Sequence, residues 1–103
     1  MIIAALRTRL RAEAEDEYMH WAKRTNDLVV TMPGYISHKS FAAPDCERLL
    51  LVEFESEDAM RQWGRHPEHV EAKKLGRQRF FSEYSAQICS LIHEARSKPR
   101  AET

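Results

Sequence analysis

Trp63-Gly64-Arg65-His66-Pro67-Glu68-His69, running on through Ala72 and Leu75-Gly76-Arg77 to Phe80-Phe81, is the stretch whose reading decides how the chain folds. Ahead of it, Ser56-Glu57-Asp58-Ala59-Met60 has the composition of a helix start. Ser56 suits the N-cap, and Glu57 and Asp58 put negative charge where the helix dipole favours it. The helix must stop near Gly64-Arg65-His66, because Pro67 pushes the residue before it out of helical dihedrals. Pro67 then suits the first position of a new helix, with Glu68 in its first turn. The stretch is therefore a broken helix with Trp63, His66 and His69 at the break. Two readings stay open: a pocket at the break, or a helix junction with Trp63 plugging the core and both histidines in solvent.

Working outward, residues 2–10 alternate as a strand does, with Ile2, Ala4, Leu6, Thr8 and Leu10 on one face. From Ala12 to about Val30 the apolar residues follow helical spacing: Ala14, Tyr18, Trp21, Ala22, Thr25, Leu28 and Val29 form one stripe. Met32-Pro33-Gly34-Tyr35 turns the chain. Tyr35 to Ala42 and Arg48 to Phe54 read as strands joined by the loop Ala43-Pro44-Asp45-Cys46-Glu47, and Phe81 to about His93 reads as the last strand. The order βαββαβ predicts an α+β, ferredoxin-like antiparallel sheet covered by helices on one side.

Composition bounds the rest. A chain of 103 residues, 43% apolar, suffices for one domain, expected over residues 1–96, with 97–103 as a disordered tail. Sixteen basic and sixteen acidic residues cancel, so the positive field that nucleic-acid or membrane-surface binding needs is missing. No apolar run approaches the roughly 18 residues of a membrane span. The apolar start Met1-Ile2-Ile3-Ala4-Ala5-Leu6 is too short for a signal peptide. Two cysteines, Cys46 and Cys89, make no disulfide framework, and a cytoplasmic protein is expected.

The strands also carry apolar side chains on both faces. Leu49 and Leu51 oppose Leu50, Val52 and Phe54, while Cys89 and Leu91 oppose Tyr84, Ala86, Ile88 and Ile92. A lone sheet covered on one side should be polar on the other, so a sheet-to-sheet homodimer is expected.

Taken in order, Met32-Pro33-Gly34-Tyr35, Val52-Glu53-Phe54-Glu55-Ser56-Glu57-Asp58-Ala59, Trp63, His66-Pro67-Glu68-His69, Ala72, Gly76-Arg77 and Phe80-Phe81-Ser82-Glu83-Tyr84 resemble the antibiotic biosynthesis monooxygenase family over residues 2 to about 94. The resemblance implies a dimeric α+β barrel, with a pocket between each sheet and its helices. Relatives of that kind include cofactor-independent oxygenases of polycyclic phenols, quinol monooxygenases and haem-degrading enzymes, and some members have no known activity. The implied function is a monooxygenase that needs no cofactor and acts on a small aromatic, phenolic or quinol-type molecule. A non-catalytic binding or interaction member is the alternative, and a haem-binding or haem-degrading member the second.

Carried over residue by residue, Trp63 matches the pocket tryptophan of the phenol oxygenases, and His66 and His69 follow it near the break. These three are the candidate catalytic residues: a histidine titrating near neutrality as base, and an indole N–H to hold the phenolate. Met60 on the Trp63 face, His38 on the second strand, Arg77 and Tyr84 are the candidate substrate-binding residues. The haem-degrading pattern fits less well. It resembles this chain at the tryptophan but wants an asparagine on the first strand, where Arg7, Thr8 and Arg9 stand, and a histidine about three turns beyond the tryptophan, where Lys73 and Lys74 stand. Haem binding through another histidine stays open. No metal is expected, since only Glu68 and Glu71 accompany His66 and His69. His20 reads as structural and His93 as exposed.

Overall fold

The computed structural model describes residues 1–97. Strand β1 (Ile2–Leu10) leads through a 3-10 turn (Ala12–Ala14) into helix α1 (Glu15–Val29). Strands β2 (Tyr35–Ala42) and β3 (Arg48–Phe54) form a hairpin, helices α2 (Glu57–Arg65) and α3 (Pro67–Leu75) follow, and a π-helical turn (Gly76–Phe80) delivers the chain to β4 (Phe81–Ser90). The sheet is antiparallel throughout, in the order β2-β3-β1-β4. This is the ferredoxin-like α+β arrangement that the element order implied. No helix among the described residues is long and apolar enough to cross a membrane.

Register fixes the two faces. Ile2 lies opposite Phe54, Ala4 opposite Val52 and Leu6 opposite Leu50, so these side chains share the face toward the helices. There Val52, Phe54, Val29, Ala59 and Trp63 make the buried core, with Met32, Leu28 and Met60 packed against it. The turn from α1 into β2 needs Gly34, whose φ of 81° is costly for a side-chain-bearing residue. A Cβ there would also stand 2.5 Å from the Ala59 Cβ, so the glycine lets α2 close onto the turn. On the other face, Ile3, Ala5, Leu49, Leu51 and Phe41 meet solvent among Arg7, Lys39, Glu53 and Gln87.

Two boundaries differ from the sequence reading. The helix expected from Ala12 is a 3-10 turn until Ala14, because Arg11 is extended and its N–H is held by the Phe80 carbonyl at 2.8 Å. The last strand, expected to reach His93, stops at Ser90. Ser90 pairs with Ile2, the first residue of β1, so the ladder runs out of partner there; only the Leu91 N–H reaches on, to the Met1 carbonyl at 3.0 Å. The tail expected over 97–103 lies outside the described residues except for Ser97.

Candidate functional site

The helical break is built as the sequence requires. The Ser56 hydroxyl accepts from the Ala59 N–H at 3.1 Å and caps α2. His66 ends that helix and starts the next: its backbone is extended, and its Nδ1 accepts from the Glu68 N–H at 3.2 Å. Pro67 occupies the first turn of α3, where its missing N–H costs nothing. The bend brings His69 back over α2. Its imidazole stacks on the Trp63 indole with centroids 4.4 Å apart and planes 11° from parallel. The His69 Nδ1 lies 3.0 Å from the Trp63 carbonyl oxygen. A carbonyl only accepts, so Nδ1 carries the proton and Nε2 keeps its lone pair. Burial pushes the His69 pKa down to about 4, with the nearby Lys73 and His66 acting in the same direction, so the ring is neutral near pH 7.

Beside this stack a cleft of about 220 Å³ opens between sheet and helices. Leu6, Leu50 and Ala86 form its floor; α1 contributes Tyr18, Trp21 and Thr25. The opposite wall is His69, Ala72 and Lys73 of α3, and Arg77, Phe80, Phe81 and Tyr84 close the end. Tyr18 meets Phe80 and Phe81 edge-on at 6.1 and 5.8 Å, which locks the aromatic corner. Gly76 is needed there, since a Cβ would stand 2.7 Å from the Phe81 ring.

The electrostatics of the cleft are one-sided. Lys73 and Arg77 line it and no carboxylate does. Lys73 spends one N–H on the Gly64 carbonyl at 3.0 Å, and Arg77 has no ion-pair partner among the described residues. Two acids on the helices that wall the cleft are engaged by other cations: Glu68 of α3 with Arg24 and Glu17 of α1 with Arg79, both at 2.6 Å. Aromatic walls with unpaired positive charge suit a flat, electron-rich anion.

Of the sequence candidates, His69, Arg77 and Tyr84 line this cleft together. Trp63 does not: it is 6% exposed and lies in the core, behind His69. His66 is spent on the helix cap, with its ring 5.5 Å from the indole. Met60 packs against the core, and the His38 Nδ1 is 2.6 Å from the Tyr35 hydroxyl, away from the cleft. Sequence reasoning missed Tyr18, Trp21, Asn26 and Lys73. The first two sit in the α1 stripe and read as core; the polar Thr25 within that stripe and Asn26 beside it were the available signal. No group of three or more metal-type side chains stands together among the described residues.

Comparison with known proteins agrees with this architecture. The chain is 25% identical over 88 residues to the uncharacterised protein YqjZ of Bacillus subtilis, a match covering 85% of this chain and 77% of the other. Rv0793 from Mycobacterium tuberculosis has the same fold, with a TM-score of 0.81 at 14% identity over 92% of this chain and 98% of that one. SnoaB from Streptomyces nogalater, described as a cofactor-independent oxygenase, superposes with a TM-score of 0.74 at 16% identity, covering 90% and 94%. Residues 1–75 match the model of the antibiotic biosynthesis monooxygenase family, and the chain belongs to that family.

Proposed function

We propose that the protein is a monooxygenase that binds a small phenol or quinol as its anion in the His69 cleft and oxidises it with dioxygen, without a cofactor. The observation that carries this reading is the lining: five aromatic rings, two cations, a neutral imidazole and no carboxylate. The substrate ring lies among Tyr18, Trp21, Phe81 and Tyr84, with its oxygen toward the Nε2 of His69 and the cations of Lys73 and Arg77. Similarity in fold to SnoaB supports the cofactor-independent form of the chemistry.

The magnitudes assign the roles. A phenol near pKa 10 facing an imidazole near pKa 4 leaves proton transfer about six units uphill, roughly 8 kcal/mol. His69 alone is too weak a base for that. Lys73 and Arg77, which favour negative charge in the cleft, must lower the phenol's own pKa, and His69 then serves as acceptor and orienter. Trp63 and His66 act through His69, the indole as its platform and the cap as the fixed start of its helix. Once formed, the anion gives an electron to dioxygen; the radical pair joins at a ring carbon, and the peroxide loses water to leave a carbonyl. One oxygen atom enters the quinone and the other leaves as water, so no outside reductant is needed.

Dioxygen uptake with a panel of hydroxylated aromatics and quinols tests this, with labelled dioxygen giving a quinone that carries one labelled atom. Low basicity at His69 also favours a second reading, a binding protein of the same ligand class without turnover. Tight binding with no oxygen uptake across the panel would select it. The same proposal includes a homodimer through the open sheet face and residence in a reducing cytoplasm, where the exposed Cys46 and Cys89 stay thiols. Ile3, Ala5, Leu49, Leu51 and the 45%-exposed Phe41 on that face support the dimer.

A further inference from the structure

A second cavity of about 200 Å³ adjoins the first, and the two share Leu6, Tyr18, Ser40 and Leu50 as walls. Tyr18 stands between them. On its far side the guanidinium of Arg48 lies 5.5 Å from the centre of the Tyr18 ring, facing it as a cation faces an aromatic cloud. Arg48 is half-buried and forms no ion pair among the described residues. The carboxylate nearest to it in sequence, Glu47, is bound to Arg7 at 2.9 Å. Directly across the β1–β3 ladder from Arg48 is Thr8, only 4% exposed, which also lines this cavity. The hydroxyl of Ser40 completes the polar wall. A half-buried guanidinium without a counter-ion, facing a largely apolar cavity, would be satisfied by a ligand carrying negative charge, with the Thr8 and Ser40 hydroxyls as further donors.

We propose that this second cavity is a subsite for an acidic substituent, so that the natural ligand is an aromatic phenol bearing a short carboxylate arm that passes Tyr18 to reach Arg48, Thr8 and Ser40. The inference rests on the aromatic-ligand reading of the first cleft. It narrows the substrate class from phenols in general to hydroxylated aromatic acids. Arg48 with Thr8 is the specificity-determining pair, because a guanidinium and a hydroxyl together can receive both oxygens of one carboxylate.

Titration calorimetry on the full chain tests it with three probes: a plain naphthol, the same naphthol with a propionate arm on its second ring, and the same with a propionamide arm. The propionate is expected to bind about tenfold more tightly than the propionamide. Arg48→Gln should abolish that ratio, and Arg48→Lys, which keeps the charge, should retain most of it. Far-ultraviolet circular dichroism of each variant checks that the fold is intact. Equal affinity of the two arms, or a ratio that survives Arg48→Gln, would overturn the subsite. If the naphthol itself binds while the ratio is absent, only the subsite falls and the aromatic cleft stands. If no probe binds, the aromatic-ligand reading falls with it.

Discussion

His69 lies flat on Trp63, 4.4 Å away, and hydrogen-bonds the carbonyl of that same residue, so one tryptophan fixes both the plane and the tautomer of the imidazole. Stacking and hydrogen bond together hold the ring at two points, and His69 is one of the residues that line the cleft. The break at Pro67 is what makes this possible. A continuous helix would carry residues 63 and 69 to different faces of the cylinder, since six residues turn through about 600°, roughly 120° short of two full turns.

Removing the platform should therefore be felt twice. Trp63→Ala is expected to lose roughly 3–5 kcal/mol of stability through the cavity left in the core, measured by urea unfolding. Trp63→Phe, which keeps a ring under His69, should cost no more than about 2 kcal/mol and keep ligand affinity within a few-fold. Affinity lost completely in the folded Trp63→Phe variant would mean that the indole N–H touches the ligand itself.

The depressed pKa of His69 makes a pH prediction with a definite sign. The folded value of about 4 lies below the ordinary 6.5, so between these values the unfolded chain binds the extra proton and the folded chain does not. Stability contributed by this group is complete above pH 6.5 and is lost as pH falls toward 4, by roughly 3 kcal/mol at most. His69→Gln should flatten the stability profile across that window, measured by thermal or denaturant unfolding at several pH values. A wild-type and variant profile of equal slope would refute it.

Much of the architecture could be read from local chemistry. Alternation in β1, the Ser56 cap and the stop before Pro67 each follow from one or two residues, and each lies where the sequence puts it. The end of β4 could not be read that way. Leu91 and Ile92 continue an apolar pattern, yet a strand ends where its neighbour does, and β1 begins at Ile2. The site was legible only in part for a similar reason. Spacing shows that Trp63 shares a face with Ala59, but the angle at which α3 returns decides that His69 covers the indole. Trp21 and Tyr18 belong to an ordinary apolar stripe, and only the gap between α1 and α3 turns them from core into cleft wall. The π-helical turn at Gly76–Phe80 has no periodic signature at all.

The placement of the two tryptophans gives an optical prediction. Trp21 lines the cleft and Trp63 is sealed in the core, so a bound hydroxylated aromatic should quench Trp21 emission. Trp21→Phe should remove most of the quenching while Trp63→Phe leaves it. The reverse pattern would move the ligand to the α2 side of the helix pair.

Charge in the cleft should set affinity for anions. Arg77→Gln is expected to weaken binding of an aromatic anion by about three- to tenfold, more at low ionic strength because the side chain is exposed and screened by salt. Lys73→Met should weaken binding comparably and also destabilise the end of α2, whose Gly64 carbonyl it caps. Uncharged ligands of the same shape should lose little in either variant. If anionic and neutral ligands weaken alike, the cations hold the helices in place and do not recognise charge.

The open sheet face carries the last prediction. Leu51 stands between Ala5 and Lys39 on that face, half-exposed at the centre of the sheet, with Leu49 and Phe41 beside it. Light scattering at micromolar concentration should return about twice the 12.0 kDa chain mass. Leu51→Lys should shift the population to monomer, because pairing two sheets over an unpaired ammonium costs several kcal/mol, counted once per copy in a symmetric seam. Leu91→Lys, at a residue past the end of β4, should weaken association less. A parent protein that runs as a monomer at these concentrations would remove the sheet-to-sheet barrel. A dimer unmoved by Leu51→Lys would place the contact on another surface, with β2 the first to test, because it is an edge strand of the sheet with unpaired backbone groups along one side.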